Sequence, residues 1–288
     1  MRERNCPMAL FQTLENTKWD VLHQAFAEAF SDYQVKIDLP YWKFEQMLVR
    51  RGFCPEASLG AFEDGRLVGF VLNGLRDWHG KKTAYDLGTG VVKEYRRQGL
   101  TSVMLQDVKA LLKHKNTEQY LLEVIKTNES ALALYLKQGF EIQREFACFR
   151  MEKSRHVFHA NGKVERAEGI DFDRAKEFWD FDPSWQNAVD SMKAVPEAFA
   201  YVTARSGEEM AGYGIVDMRT GDIPQIAVQK AHRGKGIALR ILAELAKSTE
   251  ASTLSVLNVQ EGIKPMEDFL LGAGFDLHVG QYEMLLVL

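Results

Sequence analysis

Apolar residues fall at helical spacing between Trp19 and Ser31, where Val21, Leu22, Ala25, Phe26 and Phe30 share one face. A second helix is predicted from Pro40, with Asp38 nearby as a cap. The period then shortens. SLGAFE and RLVGFVLNGL flank Asp64-Gly65, a strong hairpin signal, and TAYDLGTGVV reads as a third strand. Helical spacing returns with Val103, Met104, Leu105, Val108, Leu111 and Leu112, which read as core. YLLEVI is an apolar strand, a helix is predicted from about Asn128 to Lys137, and a strand pair lies around Gly139 to Met151. The predicted order is two helices, three strands, helix, strand, helix, two strands.

The order then repeats. Helical patterns surround Asp173 to Trp179 and, after Pro183, Trp185 to Ala194, while AFAYVTAR and MAGYGIVDM flank Ser206-Gly207. IPQIAV runs into HRGKG, a helix carries Leu239, Ile241, Leu242 and Leu245, and TLSVL, a helix ending near Leu271 and YEMLLVL complete the chain. Val91, Arg96 and Gly99 recur as Val228, Arg233 and Gly236, each 137 residues on, and Gly139-Phe140 recurs 135 residues on as Gly274-Phe275. A repeat of that length signifies two copies of a domain. The pattern weakens between Glu152 and Lys163, where Asn161-Gly162 marks a tight turn, so the expected domains are residues 1–153 and 164–288.

Composition adds exclusions. A chain of 288 residues, 46% hydrophobic and 26% charged, has room for two cores and is not a disordered polymer. A net charge of −4 gives no general attraction for nucleic acid or anionic membrane, so any anion site must be local. Cys6, Cys54 and Cys148 are odd in number and irregularly spaced, which fits a reducing compartment. His156 and His159 lack further ligands at matching positions, so no metal is expected. With no secretory pattern at its start and no run approaching a membrane span, the protein is expected in the cytoplasm.

The chemistry concentrates at the two glycine turns. In the first, Val91 and Val92 end a strand, Lys93, Arg96, Arg97 and Gln98 form a basic turn, and Gly99, Leu100 and Thr101 enter a helix. A helix start presents unpaired amides and a partial positive charge, which suit a diphosphate, and a glycine lets the backbone approach it. Alone, such a turn is equally a basic loop before a surface helix; its repetition favours function.

Arg96-Arg97-Gln98-Gly99-Leu100-Thr101 and Arg233-Gly234-Lys235-Gly236-Ile237-Ala238 resemble the cofactor signature of the GNAT acyltransferase superfamily, the first departing at Thr101. The pair resembles a tandem GNAT protein, which implies two α/β folds, each a mixed, mostly antiparallel sheet flanked by helices. The resemblance implies that each turn holds the diphosphate of acetyl-CoA and that Val91 to Lys93, or Val228 to Lys230, pair with its pantetheine arm. Gly88 and Gly90 would suit the family's bulge, where a freed amide faces the thioester oxygen.

A further segment, Leu122-Glu123-Val124 through Asn128, Ala131, Tyr135 and Gly139-Phe140, resembles ribosomal-protein alanine acetyltransferases. By that resemblance Glu123 is the general base, Asn128 contacts pantetheine or ordering water, and Tyr135 protonates the leaving thiolate. Taken singly, these are also readable as a solvated strand residue, a helix cap and a core aromatic.

The second half departs where chemistry would sit. Ser255 occupies the base position, and the tyrosine position falls at Leu270 or Glu267, depending on the direction of counting. That half is therefore expected to duplicate the fold, as a second coenzyme A site or as support. The reading is an N-acetyltransferase whose N-terminal domain acetylates a primary amine on a small molecule or protein, with Phe30, Tyr33 and Trp42 as candidate pocket walls. A non-catalytic acyl-CoA-binding or regulatory protein, and a mycothiol synthase-like tandem transferase using another donor or acceptor, remain alternatives.

Overall fold

The computed structural model describes residues 9–32, 39–155 and 164–288, so Cys6, Tyr33, Asp38, His156, His159 and the Asn161-Gly162 turn lie outside the described residues. The chain is α/β and divides into two compact units, neither of them contiguous. The first comprises residues 1–124, 128–143 and 283–288, and the second residues 125–127 and 144–282.

In the first unit, β1 (Leu10–Thr13) precedes the two helices, a strand that the sequence pattern did not show. Helices α1 (Trp19–Ala29) and α2 (Tyr41–Arg50) follow, then β2 (Leu59–Glu63), β3 (Arg66–Trp78) and β4 (Lys81–Val91). Two left-handed pairs make the hairpins: Asp64 and Gly65 at φ 48° and 79°, and His79 and Gly80 at 52° and 76°. These dihedrals match the right-handed twist of the strands they join.

Helix α3 (Leu100–His114), β5 (Gln119–Ile125) and α4 (Glu129–Lys137) continue the unit, whose strand order is β1-β2-β3-β4-β5-β12. Alternation along β3 divides the core. A Cβ on Gly69 would lie 3.1 Å from Met104 of α3, whereas the next residue, Phe70, stacks 5.6 Å from Phe26 of α1. The two helices therefore cover opposite faces of the sheet. Met104, Leu105, Val108 and Leu112 are buried as expected, but Val103 is 41% exposed, because it points off the packed stripe of α3.

The expected strand pair around Gly139 to Met151 is instead a single long strand, β6 (Glu141–Glu152). Its residues from 144 on belong to the second unit, where β6 pairs antiparallel with β11 (Thr253–Gln260). Reciprocally, Glu283–Leu288 of the last strand, β12 (Asp276–Val287), belong to the first unit.

The rest of the second unit is β7 (Val164–Ala167), the short helices α5 (Phe172–Ala175) and α6 (Val189–Lys193), β8 (Phe199–Ser206), β9 (Glu209–Asp217), β10 (Gln225–Val228), α7 (Ile237–Lys247) and α8 (Lys264–Gly272). Strands β10-β9-β8-β7 form an antiparallel sheet. One face packs Ile241, Leu242 and Leu245 of α7, and the other packs Phe178 and Met192 against Tyr213 and Ile215. Among the described residues no helix is long and apolar enough to cross a membrane.

Candidate functional site

Strands β4 and β5 pair in parallel over Thr83–Tyr85 and Gln119–Leu121. Both run on beyond that register, β4 to Val91 and β5 to Ile125, so the sheet forks there. On its other edge β4 carries a bulge: Gly88 faces Leu72 and Asp86 faces Asn73, leaving Leu87 as the extra residue. The bulge thus sits one residue before its expected place. Gly90 pairs regularly with Phe70, and both glycines make room for aromatic rings, since a Cβ would meet Phe26 at 3.0 Å from Gly88 and Phe70 at 2.6 Å from Gly90.

The turn after β4 is built by its own side chains. Arg96 donates through Nε to the Val91 carbonyl at 3.0 Å and through a terminal nitrogen to the Ala29 carbonyl at 2.7 Å. It also grips Asp32 bidentately at 3.0 and 2.7 Å, which holds that carboxyl below its ordinary range. The guanidinium therefore braces the turn against the end of α1, which leaves the backbone as Arg96's means of meeting an anion. Val92 gives its amide to the Val68 carbonyl at 2.9 Å, Lys93 reaches Asp32 at 3.6 Å, and Gln98 lies exposed near the Glu94 carbonyl.

Arg97 and Gly99 both adopt left-handed backbone, at φ 63° and 84°. Gly99 is the N-cap of α3 without a side-chain cap, and Val103 makes the first bond back, to the Gly99 carbonyl. The amides of the first turn consequently face outward as donors. A Cβ on Gly99 would meet nothing within 4 Å, so glycine serves there for its dihedral and for close approach by a ligand. Leu100 is buried and anchors the helix start, with Thr101 half-buried beside it.

The second turn copies the first. Arg233 donates to the Val228 carbonyl at 3.0 Å, the Phe178 carbonyl at 3.1 Å and Asp180 at 3.0 Å, and Gly234 and Gly236 are left-handed at 73° and 71°. Ile237 is buried at the start of α7, Ala238 is half-buried, and Lys235 folds back to the Ala231 carbonyl at 3.2 Å.

Around the fork, Glu123 of β5 is half-buried and accepts a hydrogen bond from Tyr85, whose phenol is pushed well up by burial and by the Glu123 charge. Tyr135 of α4 is buried and donates to Asp86 at 3.3 Å, and Thr89 donates to the same Asp86 oxygen at 2.7 Å. Burial raises the Asp86 carboxyl to about 6, against the opposing hydrogen bonds from Thr89, Tyr135 and the Gly88 amide. Behind it Tyr120 donates to Asn73 at 2.7 Å, and Asn73 donates to the Ala57 carbonyl at 2.6 Å. Asn128 caps α4, accepting the Ala131 amide at 3.2 Å.

Sequence reading missed Tyr85 and Asp86; the one available signal was the single acid in β4, among the buried positions Thr83 to Leu87. Phe30 packs 4.5 Å from Phe26 as part of an aromatic core cluster. Cys54 is not an activated nucleophile, since burial and Glu56 both push its thiol upward.

The second unit has a cavity of about 430 Å³ between β10 and β11, lined in part by Ile226, Val228, Gly234, Val256 and Phe269 and reaching the second turn. Beyond the isolated Asp222–Ser255 bridge these strands also diverge, and β11 bulges at Leu257 and Asn258, the latter left-handed at φ 58°. A buried polar chain spans the gap: Gln225 donates to the Asn187 carbonyl, Asn187 to the Leu257 carbonyl, both at 2.8 Å, and Asn258 to Ser184 at 2.9 Å. The segment from Ser184 to Asn187 thus closes one side of the second fork.

The register of α8 is fixed by its end: Phe275 bonds back to Leu270, and Phe140 bonds back to Tyr135, each at 3.0 Å. Leu270 is therefore the counterpart of Tyr135, and the alternative alignment on Glu267 is set aside. The cavity lies in the unit where Ser255 and Leu270 stand at the positions of Glu123 and Tyr135.

A sequence model of the Acetyltransferase (GNAT) family matches residues 19–140 and 165–275. The chain is 30% identical over 123 residues to N-alpha-acetyltransferase 30 of Schizosaccharomyces pombe, covering 41% of this chain and 79% of that protein. It is 26% identical over 139 residues to an N-alpha-acetyltransferase of Saccharolobus solfataricus, covering 45% and 80% respectively. A tandem GNAT protein from the clavulanic acid biosynthesis pathway has the same fold, with a TM-score of 0.72 at 15% identity over 97% of this chain and 98% of that one. A GCN5-related N-acetyltransferase from Sphaerobacter thermophilus likewise matches at 0.72 and 14%, over 97% and 95%.

Proposed function

Since the chain belongs to the GNAT acetyltransferase family, we propose that its first unit transfers an acetyl group from acetyl-CoA to a primary amine at the fork between β4 and β5. The observation that carries this reading is a convergence. Glu123 and Tyr135 come from different elements and bond to consecutive residues of β4, Tyr85 and Asp86, where β4 and β5 part. Consecutive strand residues face opposite ways, so base and acid flank the strand along which the donor would lie.

The residues fit the donor. The uncapped start of α3 and the open approach at Gly99 suit a diphosphate, with Arg97 and Lys93 adding charge at the rim. Acetyl-CoA supplies an activated acyl thioester. With the donor bound, Glu123 would take one proton from the ammonium and free the nitrogen lone pair for the carbonyl carbon, Tyr135 would give its proton to the sulfur as the carbon–sulfur bond breaks, and the second proton that the nitrogen sheds as the amide forms would pass to solvent, from which the tyrosine is reprotonated. An α-amine near pKa 8 needs less help than a lysine near 10.4, and the two curated relatives are named as N-alpha-acetyltransferases. A peptide or protein amino terminus is accordingly the first acceptor to test.

For the second unit, we read Val228 and Arg233 to Ala238 as a second coenzyme A site without turnover. The 430 Å³ cavity behind an intact turn supports binding. Ser255 and Leu270 supply neither base nor acid, and the Ser184–Asn187 segment occupies one side of the fork.

The test is thiol release from acetyl-CoA by the full chain with a panel of peptides bearing free amino termini, lysine peptides and small primary amines. Turnover that Glu123→Gln abolishes supports the reading. Absence of amine-dependent release across the panel, in protein that binds acetyl-CoA, refutes it in favour of a binding or regulatory role.

A further inference from the structure

Asp86 sits on β4 one residue before the bulge and is 7% exposed. Its carboxylate collects the Thr89 hydroxyl at 2.7 Å, the Tyr135 phenol at 3.3 Å and the Gly88 amide. Burying a carboxylate is costly, and the fold does not require one here. Counted from the matching turns, Asp86 corresponds to Ile223, and the matching helix ends make Leu270 the counterpart of Tyr135. Ile223 and Leu270 are both fully buried in the apolar core of the second unit. One version of the fold therefore holds an acid and a phenol where the other holds two aliphatic side chains.

We infer that Asp86 is the positioning residue of Tyr135, holding the phenol at the fork and keeping it protonated until the leaving sulfur arrives. This rests on the proposed role of Tyr135. An anion beside a phenol disfavours the phenolate, so the carboxylate keeps the acid charged with its proton at higher pH. The other groups near Asp86 are Tyr120 from β5, with Asn73 from β3 behind it, and Thr89 on its own strand. Tyr85 and Glu123 lie on the other side of β4, and Arg51, which follows α2, donates to the Leu87 carbonyl at 3.3 Å.

The experiment compares wild type, Asp86→Asn, Tyr135→Phe and the double variant, using acetyl-CoA and the best acceptor from the amine panel. Asp86→Asn is expected to lower kcat about tenfold, the scale of one charge-assisted hydrogen bond, with KM for acetyl-CoA changed less than about twofold. The alkaline limb of kcat should move to lower pH, and Asp86→Asn should add nothing in the Tyr135→Phe background. NMR of protein labelled at the tyrosine ring carbon should show Tyr135 titrating at lower pH in Asp86→Asn. Asp86→Glu, which keeps the charge, should restore part of the kcat and the alkaline limb, and it serves as the readout if Asp86→Asn fails to fold. Unchanged kcat and alkaline limb in Asp86→Asn, or an equal further loss in the Tyr135→Phe background, overturns the inference. Wild-type kcat in Tyr135→Phe alone instead removes the acid role of Tyr135.

Discussion

Replacing Asp86 by asparagine should make the protein more stable at neutral pH, and the gain should vanish in acid. The folded protein holds the carboxyl near pH 6 against an ordinary 3.8, with burial as the main cause. At 1.36 kcal/mol per pH unit, that gap amounts to about 3 kcal/mol. The sign follows from which state binds the proton. Between pH 3.8 and 6 the folded chain keeps a proton that the unfolded chain has lost, so stability falls as pH rises through that window. Above pH 6 the whole loss is in place. Asparagine resembles the protonated acid in shape and does not titrate, so the variant escapes the loss. Urea unfolding of both proteins in steps from pH 4 to 8 should show curves that nearly coincide at pH 4 and separate by about 3 kcal/mol at pH 8. A separation independent of pH, or a variant weaker at pH 8, would refute the assignment of a buried, proton-hungry carboxylate. A stabilised variant with lowered kcat is the expected mark of a residue retained for function at the expense of the fold.

Glu123→Gln should reduce kcat by about a hundredfold or more, the usual scale of general-base catalysis, while calorimetric affinity for acetyl-CoA stays within about twofold. Arg97→Gly should raise stability by up to about 1 kcal/mol, because the left-handed backbone at φ 63° strains a side chain and glycine is free of that strain. The same variant should weaken coenzyme A binding about two- to fivefold through loss of a rim charge. Denaturation and calorimetry should thus move in opposite directions, and equal affinity would place Arg97 away from the diphosphate. Titration of the wild type with coenzyme A should give two sites per chain. Gly236→Val, which forces a branched side chain into left-handed backbone at φ 71°, should remove one of them without lowering kcat.

Apart from β1 and the unbroken run of β6, most strands and helices were legible because their signals are local. The Asp64-Gly65 hairpin, the stripe of α3 and both glycine turns depend on residues within a few positions of one another. The repeat worked for the same reason: the Arg96 and Arg233 braces are the same five-residue loop written twice, each closing on the carbonyl five residues back. Pairing is not local. Nothing in the alternation of β6 says that it binds β11, a strand about a hundred residues later, or that the last six residues of the chain belong with the first unit. Asp86 escaped notice on the same principle. An isolated acid in TAYDLGTGVV is ordinary until Tyr135, 49 residues on, is brought to its oxygen. Its partner Tyr135 was named as a candidate because it falls in a stretch, with Asn128 and Gly139-Phe140, that resembles ribosomal-protein alanine acetyltransferases, whereas Asp86 belongs to no such stretch. The second unit strengthens the point: where the phenol becomes Leu270 the acid becomes Ile223, a coupling that can be read only after the contact in the first unit is known.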